Sequence, residues 1–196
     1  MICIRSARRT LALSTALLLG AVALVGCSSI TLPFLPQASP QPVSYEAPDG
    51  AFVVEFPGKP KETTEQTTVE GFDLETKVTA LEQGDGNFAV SVTSFKDAFE
   101  AGGLVGELPT DVVDEILVGS LEGAAAEVEE GKLVRHNFTT VDGIRAIKGV
   151  ITGKDDVELT AIVVMNHLVQ YTILAGSGDS DKRKAFVESF HFTTAG

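Results

Sequence analysis

The sequence predicts an α+β fold: a mostly antiparallel sheet of about six to seven strands, flanked by helices on both faces. Three observations carry this. Several stretches alternate apolar and polar residues with the two-residue period of half-buried strands. Residues 108–130 break that period, because Val113, Ile116, Leu117, Leu121, Ala124 and Val128 recur at helical spacing. Finally, Ala161-Ile162-Val163-Val164-Met165 is apolar on both faces, so both faces need cover, and a two-layer sheet would leave one wet.

In chain order, the first segment does not belong to that fold. Arg5, Arg8 and Arg9 precede an apolar run from Leu11 to Leu24, short for a membrane span, that ends in Leu24-Val25-Gly26-Cys27. This arrangement resembles the lipobox of bacterial lipoprotein signal peptides. The resemblance implies removal of residues 1–26 and a diacylglyceryl thioether on Cys27, the lipid-attachment residue. Two acyl chains, at about 0.8 kcal/mol per buried methylene, hold a soluble body where a single chain holds it marginally. The implied location is the extracytoplasmic side of a cell membrane or outer membrane. Ser28, after the cysteine, is similar to signals that permit outer-membrane transport.

Without those 26 residues the chain of 196 keeps 170, enough for one domain with its own core. Cys3 is lost with the leader and Cys27 gives its sulfur to lipid, so no intrachain disulfide is expected. Of the 15 Lys and Arg side chains, three are also lost, leaving 12 against 27 Asp and Glu, a formal charge of −15. That balance argues against nucleic acid and against adsorption on anionic headgroups. It suits solubility, a basic partner or a bound cation. No second apolar run is followed by a basic stop signal.

Residues 27–44 form a tether carrying Pro33, Pro36, Pro40 and Pro42 among Ser, Gln and Ala, and the folded domain spans 45–196. Phe52, Val54 and Phe56 alternate with Val53 and Glu55, a strand ended by Pro57-Gly58. Residues 62–70 are almost wholly Thr, Glu and Gln, the composition of an exposed or edge strand. Phe72, Leu74, Val78 and Ala80 mark a one-sided strand, and a turn at 84–87 returns it through Phe88, Val90 and Val92. The helix over 108–130 has Thr110 or Asp111 to cap its start and Gly131 for the left-handed residue at its end. Strands at 132–140, 144–152, 157–166 and 168–175 follow, with turns at 141–143, 153–156 and near Asn166-His167. A helix over 180–190 closes the chain, with Ala185, Phe186, Ser189 and Phe190 turned inward.

The strand ending Phe52-Val53-Val54-Glu55-Phe56-Pro57-Gly58-Lys59-Pro60, together with the close Ala185-Phe186-Val187-Glu188-Ser189-Phe190, resembles the PsbP-like superfamily. The resemblance implies an α/β/α sandwich around an antiparallel sheet, over about residues 45–194. The element order is similar: hairpin strands, one helix, a four-strand meander and a final helix. Members of that superfamily are non-catalytic partners, among them extrinsic photosystem II subunits, a nuclear GTPase-binding factor and actinobacterial envelope lipoproteins. The photosynthetic members tend to carry Trp just after the first strand, and this chain has none.

Candidate chemistry is sparse. The sequence contains no Gly-x-Ser-x-Gly elbow, no His-Glu-x-x-His helix and no Gly-Lys-Ser/Thr phosphate loop. His136 alternates in phase with Val134 and Phe138, on the face read as the core face, where a histidine serves as ligand, general base, or a satisfied core or sheet-rim residue. His167 and His191 have no partner in ligand spacing, so no metal or cofactor is expected. Asp155, Asp156 and Glu158 do not follow calcium-loop spacing, and neither do Asp179 and Asp181. Gly176-Ser177-Gly178 precedes a helix as a phosphate cradle does, but Asp179 and Asp181 occupy that positive end, and a cap at Asp179 or Ser180 is the simpler reading. Ala101-Gly102-Gly103-Leu104-Val105-Gly106 is both flexible and apolar. Gly102, Gly103, Leu104 and His136 are therefore the tentative lid and pocket residues for a lipid-like ligand, an ordinary packed loop being the alternative.

Three functions remain open. The first is a non-enzymatic, membrane-anchored extracytoplasmic lipoprotein that binds an envelope protein complex or an amphipathic ligand. The second is a hydrolytic or cation-dependent envelope enzyme using His136 and acidic loop residues. The third is a structural spacer.

Overall fold

A computed structural model describes residues 41–193, apart from 70–71, 85 and 102–107. Cys27, the leader and most of the tether lie outside the described residues, as do Gly102, Gly103 and Leu104. The strands are β1 (Val43–Glu46), β2 (Phe52–Phe56), β3 (Lys61–Val69), β4 (Phe72–Gln83), β5 (Gly86–Ser94), β6 (Lys132–Val141), β7 (Ile144–Thr152), β8 (Glu158–Asn166), β9 (Val169–Gly176) and β10 (His191–Phe192). The helices are α1 (Lys96–Ala101), α2 (Thr110–Glu127) and α3 (Ser180–Glu188). Among the described residues, no helix is long and apolar enough to cross a membrane.

Seven strands form one antiparallel sheet in the order β3-β4-β5-β9-β8-β7-β6. The strand number agrees with the sequence. The Thr/Glu/Gln-rich β3 is indeed an edge, its side chains largely exposed where described. The tight hairpin between β6 and β7 places Asp142 and Gly143 at φ 48° and 82°, the left-handed pair that matches the twist of the strands it joins.

A second, three-stranded antiparallel sheet, β1-β2-β10, was not expected from the sequence. Its centre, β2, pairs Tyr45 with Val54 on one side and His191 with Val53 on the other, so the two ends of the described chain meet on one strand. β1 starts two residues before the expected domain boundary, and β10 begins directly after the last residue of the expected closing helix.

β8 explains how the sheet is covered. Its Ile162 and Val164 join one core cluster, and its Leu159, Ala161, Val163 and Met165 join another, as side-chain alternation demands. The second cluster is closed by Leu117, Leu121 and Ala125 of α2. The first is closed by Phe52, Val54 and Phe56 of the small sheet together with Phe186 and Val187 of α3. Cover on that side therefore comes largely from a sheet, where a helix alone was expected.

α2 differs from expectation at both ends, whereas α3 begins at one of its two expected caps. The N-cap of α2 is Pro109 and no side chain caps it, so neither Thr110 nor Asp111 plays that part. The left-handed residue after α2 is Glu130 (φ 56°), whereas Gly131 is demanded by space: a Cβ there would stand 2.0 Å from the Ala125 carbonyl oxygen. α3 is capped by Asp179, whose Oδ1 accepts from the backbone N–H of Asp181 and Lys182 at 2.9 and 3.3 Å. The helix buries Arg183, Phe186 and Val187 and leaves Ala185 exposed, so its inward face is rotated from the predicted one. Phe190 is buried just beyond its end.

Candidate functional site

One concavity with a mostly apolar lining opens beside the small sheet and α3. It has a volume of about 400 Å³, within the range of small-molecule sites. Pro42, Pro57, Phe88, Ala185 and Phe186 supply its apolar lining. Phe186 is held by Phe56 and Phe88, with ring centroids 5.0 and 5.2 Å away, so that wall is rigid. Gly86 belongs to the same wall for steric reasons, since a Cβ there would lie 2.6 Å from the Phe88 ring. At the neighbouring turn Gly84 takes φ 61°, a conformation that favours glycine.

Few polar groups converge on this pocket, chiefly Lys182, Glu55, Gln83 and Ser177. Ser177 is buried and its hydroxyl accepts from the Asp179 N–H at 3.1 Å. Its carbonyl accepts from Nη1 of the buried Arg183, whose Nη2 donates to Glu158 at 2.7 Å. These contacts fix the β9–α3 connection that forms the back of the pocket. The N-terminal end of α3 is occupied by its own cap, Asp179, so the Gly176-Ser177-Gly178 stretch does not offer free amides to an anion. Glu158 likewise serves Arg183, and Asp155 sits at φ 57° in a 3-10 turn.

A second concavity, about 360 Å³, lies between β1 and the β3–β4 strands. Here Tyr45 donates to Glu62 Oε1 at 3.0 Å and accepts from Thr79 Oγ1 at 3.3 Å. Burial is the main reason its phenol titrates above the ordinary value of 10.0; the Thr79 hydrogen bond opposes the rise and the Glu62 carboxylate adds to it. A third, about 650 Å³, is bordered by Lys96, Leu108, Val113, Met165 and His167. Lys96 and Leu108 flank the glycine-rich stretch, whose Gly102, Gly103 and Leu104 lie outside the described residues.

His136 does not sit in a core. Its register partner Gly149 lies under Leu121 of α2, so His136 is on the α2 side of the sheet, the side the periodicity suggested. β6 is the outermost strand, however, and extends past the helix, leaving Val134, His136 and Phe138 exposed. Among the described residues His136 has no carboxylate within ion-pair distance and borders none of the three concavities above.

The histidine–carboxylate contact that does form joins His191 Nδ1 to Asp142 Oδ1 at 3.2 Å, while Asp142 Oδ2 accepts from the Phe192 N–H at 2.7 Å. The two residues are 49 positions apart, and no spacing motif points to them. This contact latches β10 to the β6–β7 turn. Among the described residues, no three His, Cys, Asp or Glu side chains converge in a way that would hold a metal ion.

The chain matches no protein-family model and no curated protein. Among solved structures it is similar to the solution structure of cyanobacterial PsbP (CyanoP) from Synechocystis sp. PCC 6803, with 14% identity and a TM-score of 0.48, over 83% of this chain and 99% of that one. It is also similar to the crystal structure of a Pseudomonas aeruginosa protein of unknown function, with 13% identity and a TM-score of 0.36, over 60% of this chain and 85% of that one.

Proposed function

We propose that this chain is a non-enzymatic binding or accessory module, anchored through lipid on Cys27 to the extracytoplasmic side of a bacterial membrane. In this reading residues 27–44 tether a PsbP-like α/β/α sandwich, with α2 and α3 on opposite faces of the large sheet. The module takes an amphipathic small ligand, its apolar part among Pro57, Phe88 and Phe186, and serves an envelope protein complex. The observation that carries the reading is the 400 Å³ concavity with its mostly apolar lining and few polar groups. Two features of the sequence support the address: the motif Leu24-Val25-Gly26-Cys27, and the Pro-rich stretch between it and the first strand.

The test is a titration of the full chain with a fluorescent fatty-acyl probe. Saturable binding is expected, weakened at least tenfold by Ala185→Trp, which fills the opening from an exposed helix position and leaves the melting temperature unchanged. Absence of saturable binding, or equal binding by the variant, would remove the ligand assignment. Intact-mass analysis of the protein from a bacterial membrane tests the anchor separately: a diacylglyceryl adduct on Cys27 with residues 1–26 gone supports it, and an unmodified thiol with the leader attached refutes it.

A further inference from the structure

The two edges of the large sheet are built differently. β3 presents Lys61, Glu62, Thr63, Thr64 and Glu65, a mixed polar edge that discourages strand pairing. β6 runs for ten residues from Lys132 to Val141 and, among the described residues, has β7 on one side only. It contains no acidic residue, on a chain with a formal charge of −12. Val134 and Phe138 on this strand are 60% and 41% exposed, and of the four large apolar side chains that stand out into solvent among the described residues, these are two. From Arg135 to Val141 the pairing with β7 is unbroken, so a regular length of backbone has outward N–H and C=O groups that pair with no other strand among the described residues.

The side chains along this edge form two rows. On the α2 side Phe138 is covered by the Arg145 guanidinium, 4.5 Å from its ring centroid, and Arg145 is itself held by Asp114. On the other side lie Lys132 and Arg135, with Lys148 diagonal to Arg135 across the β6–β7 ladder, about 7–8 Å apart by strand geometry. Among the described residues, Lys132, Arg135 and Lys148 have no carboxylate within 4.0 Å, whereas Lys154, Arg145 and Arg183 do.

We propose that the free edge of β6 is a docking site for an extended, acidic segment of a partner protein, which adds to the sheet as an eighth strand. Backbone hydrogen bonds to 135–141 supply the main contact, carboxylates on one face of the added strand meet Lys132, Arg135 and Lys148, and apolar residues on its other face meet Phe138. Charge selects this occupant. Pairing two β6 edges with each other would bring two cationic strands together, and pairing β6 with the β3 edge of another copy would give open-ended assembly instead of a closed complex.

The test uses the full chain in detergent micelles and a short synthetic peptide alternating glutamate with valine, beside a twin with lysine for glutamate. The acidic peptide is expected to bind saturably, with backbone amide shifts confined to Lys132–Val141 and its immediate neighbours. The lysine twin should bind at least tenfold more weakly. High salt should narrow the gap between the two, because the selecting contacts are exposed charges. The double variant Arg135→Glu/Lys148→Glu, at an exposed and a half-buried position, should lose at least tenfold in affinity for the acidic peptide, and Lys61→Glu on the opposite edge should lose nothing. Equal binding of the two peptides, shifts centred elsewhere, no binding at millimolar peptide, or sedimentation of the protein alone as growing assemblies would each overturn the proposal.

Discussion

The two sides of the large sheet are packed with different materials. On the α2 side the fully buried residues are aliphatic: Leu117, Leu121, Ile147, Ile151 and Val163. Gly149 lets Leu121 come down onto the strand, where a Cβ would stand 2.6 Å from Leu121 Cδ2. On the opposite side aromatic rings join the aliphatic Val54, Val90, Val164 and Ile173, with Phe52 stacked on Phe190 at 5.1 Å and Phe56 tilted against Phe186 at 5.0 Å. Branched aliphatic chains mesh with one another and leave little space along the helix. Flat rings held at angles fill the middle of a layer and leave openings near its ends. The 400 and 360 Å³ concavities both border the aromatic side, while on the α2 side a concavity of about 650 Å³ opens at the start of the helix, among Lys96, Leu108 and Val113. The two sides thus differ in the material that fills them and in where they open.

The sharpest way to break this comparison is to remove one anchor from each side. Phe186→Ala is the larger change, costing about 4 kcal/mol, because a ring 2% exposed leaves a cavity and takes the pocket wall with it. At about 3 °C per kcal/mol the melting temperature should fall by roughly 12 °C, and acyl-probe binding should be lost even where the protein remains folded. Leu121→Ala should cost about 3 kcal/mol and leave probe binding intact. If the two variants lose probe binding alike, the division between the sides is wrong.

A smaller effect is expected from Asp142→Asn. The amide keeps the left-handed turn at that position but weakens its hold on the Phe192 N–H and on His191. About 1 kcal/mol is expected, read by chemical denaturation. Amide exchange should speed up in β10 and its partner β2, since Phe192 packs on Tyr171 at 5.0 Å and is freed with the strand. Faster exchange across α2 as well would contradict the separation.

The smallest differences are those of pH. Burial holds the Tyr45 and Tyr171 phenols above their ordinary value of 10.0, with nearby carboxylates adding to the rise. A raised value in the folded state means that this stability is fully present below pH 10 and is lost as pH climbs through the folded values, so the aromatic side should loosen in strong alkali. On the α2 side the Arg145 guanidinium holds Asp114 below 3.8, which is stability present above that pH and lost as pH falls through the lowered value. Both side chains of that pair are partly exposed, so salt should erode the acid effect. Near-ultraviolet circular dichroism of the tyrosines in alkali, against amide exchange of α2 in acid, reads the two directions independently.

How much of this was legible in the sequence depended on how local the signal was. The all-apolar run in β8 demanded cover on both faces, and both core clusters meet on that strand. The seven strands of the large sheet and the edge character of β3 followed from alternation and composition. β1 and β10 were not legible, being four and two residues long and paired to β2 only through the folded chain. For His136 both a core and a sheet-rim position stayed open, because periodicity gives the face of a strand but not its rank in the sheet, and β6 is outermost. In α3 the buried positions include Arg183, which no apolar pattern reveals, and the inward face was therefore placed on Ala185. The pocket was invisible for a similar reason: Pro57, Phe88 and Phe186 come from three distant stretches.

The most direct measurement is chemical-shift mapping of the full chain during titration with a medium-chain fatty acid. The account predicts shifts concentrated at Gly86, Phe88, Ala185 and Phe186, with Leu117, Leu121 and Ile147 unmoved. Shifts centred on those three aliphatic residues, or no saturable change at all, would contradict it.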